Sequence, residues 1–188
     1  AGLNIPPGAL ELIQRVTGCC SPRLCDGSTR GCARADIPDT VGFSRGDVKL
    51  GGRLAMASSL AEIFLLEYGQ WPERNAGWGE VDAEALKTML PVHNMVFDAL
   101  NRAPDVAAAR GGAMLRAIRS SLLAEAGARV IIYAGHDTNI ANLGGLLDLH
   151  WDIPEQGHNA IPPGGALLFT LWENAPGRRE IRASFLAP

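Results

Sequence analysis

The chain has 188 residues, of which 47% are hydrophobic and 20% charged, and its formal net charge at pH 7 is -3. This balance is typical of a globular protein that buries a core, and it excludes a disordered chain. The longest apolar runs, such as Val130–Ala134, are far shorter than the roughly 18 residues that cross a bilayer. Because 17 Lys and Arg are offset by 20 Asp and Glu, we expect no nucleic-acid-binding surface, although a local cationic pocket for a small anion is compatible with this charge.

Residues 1–50 are predicted to be a loop-rich segment that contains at most a short helix over Gly8–Val16. All four cysteines of the chain lie in this segment, namely Cys19, Cys20, Cys25 and Cys32. Their spacing matches no paired Cys-x-x-Cys zinc motif, so we expect disulfides and an oxidising compartment. The pairing stays open, except that the two adjacent cysteines are not expected to bond to each other. Since the chain begins with Ala1, we expect either a removed targeting segment or a start within a longer protein.

Residues 51–127 are predicted to form a helical subdomain. Apolar residues recur at helical spacing in GRLAMASSLAEIFLLEYG, which predicts an amphipathic helix that begins near Gly52 and is ended by Gly69. A second helix is expected after Asp82, a residue type that caps helix N-termini. Pro91 should kink or divide this second helix. Its apolar side consists of Leu86, Leu90, His93, Phe97 and Leu100.

A third helix is expected to begin near Pro104, because proline is favoured in the first turn of a helix. The pair Gly111 and Gly112 should weaken or break it, since glycine is a poor helix former. Gly127 should end it.

Residues 128–188 are predicted to form an α/β subdomain. The run Val130–Ala134 is rich in β-branched residues and predicts a short buried strand. A helix is expected over Thr138–Leu149. The stretches ALLFTLW and EIRASFL then predict the two strands of a hairpin joined by ENAPGRR.

His136 and Asp137 follow the predicted strand and precede the predicted helix. In open α/β folds ligands bind at the carboxyl ends of strands, and the next helix presents N–H groups and a partial positive charge that favour phosphate. These two residues are therefore candidates for chemistry on a phosphate group. The alternatives are structural: Asp137 or Thr138 caps the helix, and His136 is a satisfied buried imidazole.

Two further residues have both a functional and a structural interpretation. His93 lies on the apolar side of its predicted helix, where a lone histidine is more often a core residue. Arg110 stands directly before the glycine pair, where a cation can reach an anion over flexible backbone, but a surface arginine has the same sequence signature. Neither residue alone indicates a site.

The stretch YAGHDTNIANLGGLLDLHW, followed by NAIPPGGALLFTLW, closely resembles the carboxyl-terminal signature of the histidine acid phosphatases, in the branch that holds bacterial periplasmic phytases and glucose-1-phosphatases. The resemblance extends upstream through LAEIFLLEYGQWPE, GWGEVD and VHNMVFDALNRAPDVAAARG, and it covers the chain from about Cys19 to Trp172. It implies part of a phosphoglycerate-mutase-like α/β sheet domain with a helical subdomain, whose amino-terminal strands are missing. It also implies a periplasmic or secreted location.

The resemblance implies that a phosphomonoester is hydrolysed in two steps, through a phosphohistidine and without a metal or other cofactor. Asp137 matches the acid that protonates the leaving alcohol, and His136 matches its neighbour, which contacts the phosphate. Since a bound phosphate favours the neutral form of a neighbouring carboxyl group, an acidic pH optimum is expected. The residues that match the substrate pocket of the family are Thr138, His93, Arg110 and, as a further candidate, Ser59.

No stretch of these 188 residues reads Arg-His-Gly-x-Arg-x-Pro, the family motif that carries the attacking histidine. Neither His150 nor His158 has neighbours of that kind. We therefore expect this chain to be the middle and later part of the enzyme, which supplies the general acid and acts with the amino-terminal part of the same protein. The alternative is a noncatalytic fragment or homologue that binds phosphate without turnover.

The expected ligand is a phosphate ester or phytate, and neither nucleic acid nor a membrane is expected as a partner. The residue types of Arg110, His93 and Thr138 suit a multiply charged substrate without requiring one. Because the sheet of the family takes strands from both parts of the protein, this chain alone should expose a strand edge and an apolar face, which favours dimerisation.

Overall fold

The computed structural model describes residues 5, 7–18, 37–44, 47–124 and 128–188. The disulfides predicted at Cys19, Cys20, Cys25 and Cys32 therefore lie outside the described residues. The chain divides into two compact units, of which the first runs to Leu100 and includes Pro154–Gly157, and the second comprises Asn101–Ile153 and His158–Pro188. No helix within the described ranges is long and apolar enough to cross a bilayer.

Three helices build the core of the first unit: α1 (Ala9–Thr17), α2 (Arg53–Gln70) and α3 (Ala83–Asn101), whose last residue belongs to the second unit. The helices predicted over Gly8–Val16 and from Gly52 are thereby confirmed. Burial of their apolar faces stabilises the unit by about 25 cal/mol per Å² removed from water. The buried apolar side chains of these helices are Ala9, Ile13, Leu54, Ala57, Ala61, Phe64, Leu86, Met89, Leu90, Val92 and Val96.

A hairpin that the sequence pattern does not predict precedes α2. Its strands, β1 (Thr40–Ser44) and β2 (Asp47–Gly51), pair antiparallel along their whole length. Asp39, which comes directly before β1, accepts hydrogen bonds from the backbone N–H of Leu54 at 2.8 Å and from Nε of Arg53 at 3.2 Å. Its carboxylate therefore caps the N-terminus of α2, where unpaired N–H groups and the helix dipole favour a negative charge.

Helix α3 begins after the predicted cap and continues through its proline. Oδ1 of Asp82 accepts a hydrogen bond from the backbone N–H of Ala85 at 2.8 Å, which confirms the cap. Pro91 lies inside the helix and does not divide it. Its neighbours Leu90 and Val92 are both buried in the core, and this packing offsets the hydrogen bond that the proline cannot make.

The second unit contains α4 (Pro104–Leu122) and α5 (Asp137–Leu147), which pack against each other. The predicted break at Gly111 and Gly112 is wrong, because α4 runs through both residues. Gly111 is buried, and a Cβ at this position would lie 3.0 Å from the Cβ of Asn142 in α5. The glycine therefore permits a close contact between two helices and does not end one.

The buried strand predicted over Val130–Ala134 is not formed, and this prediction is wrong for the described part of the chain. The side chains of this stretch are exposed, with Ile132 at 87%. A strand needs a neighbour that takes up its backbone N–H and C=O groups, and the described residues provide none at this place. The hydroxyl group of Tyr133 forms a hydrogen bond with that of Ser121 at 2.7 Å.

The strands after α5 are the two-residue β3 (Asp152–Ile153) and β4 (Gly157–His158), followed by β5 (Ala166–Ala175) and β6 (Arg178–Leu186). The last two form the predicted antiparallel hairpin, with longer strands and a shorter connection than the sequence pattern predicts. In the second unit the indole of Trp151 stacks on the ring of Phe185, with the ring centroids 4.5 Å apart, and anchors the end of β6.

Candidate functional site

The start of α5 carries His136 and Asp137. His136 is exposed and occupies the N-cap position, with an extended backbone (φ -110°, ψ 166°). Asp137 is the first residue of the helix and is half-buried. Its side chain is therefore not sealed in the interior, and a ligand can approach it.

Asn139 holds the backbone at this junction. Its Oδ1 accepts a hydrogen bond from the backbone N–H of His136 at 2.9 Å, and its own N–H donates to the carbonyl oxygen of His136 at 3.0 Å. The residue before His136 is Gly135, where a Cβ would lie 2.7 Å from Oδ1 of Asn139. The run Gly-His-Asp-Thr-Asn thus forms a tight turn into α5. Glycine fits at its first position for a steric reason, and asparagine fits at its last because its side chain accepts a hydrogen bond.

The carboxylate of Asp137 lies among the unpaired N–H groups of the first turn of α5. Its Oδ1 accepts a hydrogen bond from the backbone N–H of Thr138 at 2.6 Å, and Thr138 itself is half-buried. The positive end of the helix dipole favours an anion here, whether the carboxylate or a bound phosphate. Asp137 thus satisfies an N–H group in the first turn of its own helix.

Arg110 is exposed on α4, and its Nη1 donates a hydrogen bond to Oδ1 of Asn101 at 2.9 Å. Asn101 is only 5% exposed. Its carbonyl oxygen accepts a hydrogen bond from Nδ2 of Asn142, in α5, at 2.7 Å. Two hydrogen bonds therefore link the guanidinium of Arg110 to the helix that begins with Asp137. Asn101 is not predicted from the sequence, where its only signal is a polar side chain at the end of an apolar helix face.

In the first unit, His93 of α3 contacts Ser58 of α2. Nδ1 of His93 lies 3.3 Å from Oγ of Ser58 and 3.3 Å from its carbonyl oxygen. A hydrogen bond to the carbonyl oxygen requires the proton on Nδ1, whereas the hydroxyl group of Ser58 can either donate or accept. The imidazole is half-buried, with its centroid 5.5 Å from that of Phe97.

Ser59, the further candidate, is exposed, whereas its neighbour Ser58 is buried and contacts His93. The helical periodicity of α2 indicates this difference in the sequence. Ser58 lies four residues after Leu54 and three before Ala61, which are both buried, so helical periodicity puts it on the inner face of α2.

His150 and His158 lie in the second unit, and neither belongs to the arrangements described above. Their rings stack with centroids 5.3 Å apart, and each ring lies within hydrogen-bonding distance of an aspartate, Asp148 and Asp152 respectively. In the described part of the chain no group of three or more His, Cys, Asp or Glu side chains is arranged to hold a metal ion.

Comparison with known proteins matches residues 68–185 to the histidine phosphatase superfamily (branch 2). Phytase AppA of Escherichia coli (strain K12) is 40% identical over 148 residues, which are 72% of this chain and 34% of that protein. A glucose-1-phosphatase of Salmonella typhimurium (strain LT2) is 28% identical over 158 residues, which are 80% of this chain and 38% of that protein. The chain therefore spans little more than a third of the length of these curated relatives.

The solved structure of Hafnia alvei phytase in complex with myo-inositol hexakis sulphate superposes with a TM-score of 0.73 and 31% sequence identity. The superposition covers 94% of this chain and 46% of that one. It confirms the fold class that the resemblance implies, an α/β fold of the histidine acid phosphatase type of which this chain holds less than half. The stretch matched to the family includes His93, Arg110 and the start of α5. The chain belongs to the histidine phosphatase superfamily, branch 2.

Proposed function

We propose that this chain is the part of an acid phosphomonoesterase that supplies the general acid. Asp137 protonates the leaving alcohol, and the neighbouring His136 contacts the phosphate. The observation that carries the proposal is the position of Asp137, half-buried at the N-terminus of a helix in a chain of the histidine phosphatase superfamily. The names of the two curated relatives, a phytase and a glucose-1-phosphatase, support the phosphomonoester class.

In the proposed reaction a histidine from outside these residues attacks phosphorus, and an N–P bond forms as the P–O bond to the alcohol breaks. Asp137 gives its proton to the departing oxygen, so that the alcohol leaves neutral. Water then releases phosphate from the phosphohistidine. The N–H groups at the start of α5, together with Thr138 and Arg110, stabilise the negative charge on the phosphoryl oxygens. His93 and Ser59 are proposed as further phosphate contacts, because they match the substrate pocket of the family.

The proposed substrates are phytate and other phosphate esters. Hafnia alvei phytase binds myo-inositol hexakis sulphate, which carries sulphate groups where phytate carries phosphates. The proposed location is the periplasm or the cell exterior, and the cluster of four cysteines supports an oxidising compartment.

The proposed partner of this chain is the amino-terminal part of the same protein, which supplies the attacking histidine. The exposed apolar run that begins at Val130 supports a partner, because a strand laid beside it would pair its backbone groups and cover its side chains.

The test is an assay of p-nitrophenyl phosphate and phytate hydrolysis at about pH 5, between the ordinary pKa values of a carboxyl group and an imidazole. The 188-residue chain alone should show no turnover. A polypeptide that also includes the upstream coding sequence should hydrolyse both compounds. In that polypeptide Asp137→Asn should lower kcat by about 10²–10⁴-fold, because the proton donor is lost while the shape of the side chain is kept.

Asp148→Asn is the matched control, since it makes the same change at the other end of α5. Asp148 is the C-cap residue and has a φ of 52°, a conformation that asparagine also adopts, so kcat should stay unchanged. Turnover that survives Asp137→Asn would exclude the general-acid role. Phosphate binding without any hydrolysis by the longer polypeptide would support the noncatalytic alternative instead.

A further inference from the structure

We propose that Asn101 is a positioning residue that holds the guanidinium of Arg110 ready for a phosphoryl group. This inference rests on the proposed function, because it requires Arg110 to bind phosphate. Asn101 is the last residue of α3 and is buried. Its Oδ1 accepts the hydrogen bond from Nη1 of Arg110 at 2.9 Å.

The type of acceptor matters for this role. Arg110 is exposed, and a surface arginine samples many rotamers, so an arginine that is held beforehand loses less conformational entropy when it binds an anion. The side chain of Asn101 is a neutral amide. Its oxygen orients the guanidinium without cancelling the positive charge, whereas a carboxylate at the same place would neutralise much of it. An asparagine therefore suits an arginine that has to attract phosphate.

A second hydrogen bond ties Asn101 to α5. Nδ2 of Asn142, which is 2% exposed, donates to the carbonyl oxygen of Asn101 at 2.7 Å. Asn142 follows Asp137 in the same helix by a distance of roughly 7.5 Å along the axis. The proposed acid is thus part of α5, and the proposed phosphate-binding cation is connected to the same helix through Asn101. The two hydrogen bonds of this connection keep both groups in place relative to α5.

These two hydrogen bonds can be separated by substitution, because they use different atoms of Asn101. Asn142 binds the backbone carbonyl, which every side-chain substitution retains, whereas Arg110 binds the side-chain oxygen. Asn101→Ala should therefore keep the hydrogen bond to α5 and remove the one that Oδ1 accepts from the guanidinium.

The test is a double-mutant cycle of Asn101→Ala and Arg110→Ala in the 188-residue chain. Binding of inorganic phosphate and of myo-inositol hexakis sulphate is measured by calorimetry, and circular dichroism checks the fold. Each single substitution should weaken binding by about tenfold. In the Arg110→Ala background, Asn101→Ala should add less than about a twofold loss, because a residue that acts through another has no effect once the other is gone. Arg119→Ala, which removes a charge further along α4, is the control and should change affinity by less than about twofold.

Each outcome decides a different point. Losses that simply add in the double variant would overturn the positioning role and leave the proposed function standing. A lack of any binding by the unsubstituted chain would overturn the phosphate site itself, and this inference with it. If Asn101→Ala does not fold, the double-mutant cycle is repeated with Asn101→Ser. Serine keeps a polar group in the buried position, but its shorter side chain moves the oxygen away from Arg110.

Discussion

Two adjacent serines of α2 differ in their surroundings. Ser58 is buried and its hydroxyl group lies 3.3 Å from the imidazole of His93, whereas Ser59 is exposed. A buried hydroxyl group has lost its water and depends on a protein partner, while an exposed one exchanges a partner for water at little cost. The two residues should therefore respond differently to the same substitution.

Ser58→Ala should lower the free energy of unfolding by about 1 kcal/mol, because it removes the hydroxyl group that faces His93. Ser59→Ala should change the same quantity by less than about 0.5 kcal/mol. Any gain in helix propensity from serine to alanine is common to both variants. The difference between the two changes in the free energy of unfolding therefore measures the contact between Ser58 and His93. Urea unfolding followed by circular dichroism measures both values. Equal effects would mean that the contact between Ser58 and His93 contributes no net stability.

In the second unit, glycines let α5 pack closely against the residues beside it. A Cβ at Gly145 would lie 2.5 Å from the carbonyl oxygen of Arg102 and 2.7 Å from its Cα. Gly112 in α4 differs, since the nearest atom to a Cβ there would be Nη1 of Arg116 at 3.5 Å, an ordinary contact. Packing therefore requires glycine at the first position and not at the second.

Gly145→Ala should lower the free energy of unfolding by about 1–3 kcal/mol, because the added methyl group forces α5 away from the backbone of Arg102. Gly112→Ala should raise it by about 0.5–1 kcal/mol, because alanine has the higher helix propensity and meets no obstacle. Chemical denaturation of both variants provides the comparison. A stabilised Gly145→Ala variant would show that α5 can shift without loss of packing.

At the scale of the whole molecule, one continuous run of apolar side chains is exposed to solvent. Val130, Ile131, Ile132 and Tyr133 are all exposed, and the described residues contribute no strand that pairs with them. Further exposed apolar side chains of the second unit include Trp172 on β5 and Ile181 on β6. A run of this kind is a template for pairing with another polypeptide, be it the proposed amino-terminal part or a second copy.

The 188-residue chain in isolation should therefore self-associate. Ile132→Glu should shift it towards the monomer, because a charge in the middle of the run is costly to bury. Ile63→Glu is the control, since Ile63 is also exposed but lies on α2 of the first unit, and it should leave the association unchanged. Size-exclusion chromatography with light scattering measures the mass. A monodisperse monomer without substitution would contradict the prediction.

The elements that the sequence predicts correctly are those whose signals lie within one segment. The apolar spacing of α2, the cap at Asp82 and the hairpin of β5 and β6 are all readable in this way. The strand over Val130–Ala134 and the break at Gly111 are predicted wrongly, because each depends on which segment lies beside it. An apolar β-branched run becomes a strand only beside a partner, and a glycine in a helix ends it or permits a close contact according to its neighbour.

The sequence by itself determined the family and the candidate residues at the start of α5, because the motif is a matter of residue type and order along a continuous stretch. Only the tertiary structure decided that Ser58 meets His93 and that Asn101 links Arg110 to α5. The partners in these contacts are 35, 9 and 41 residues apart. No local pattern encodes such contacts, because the burial of a polar group and the choice of its hydrogen-bond partner depend on how separate helices pack.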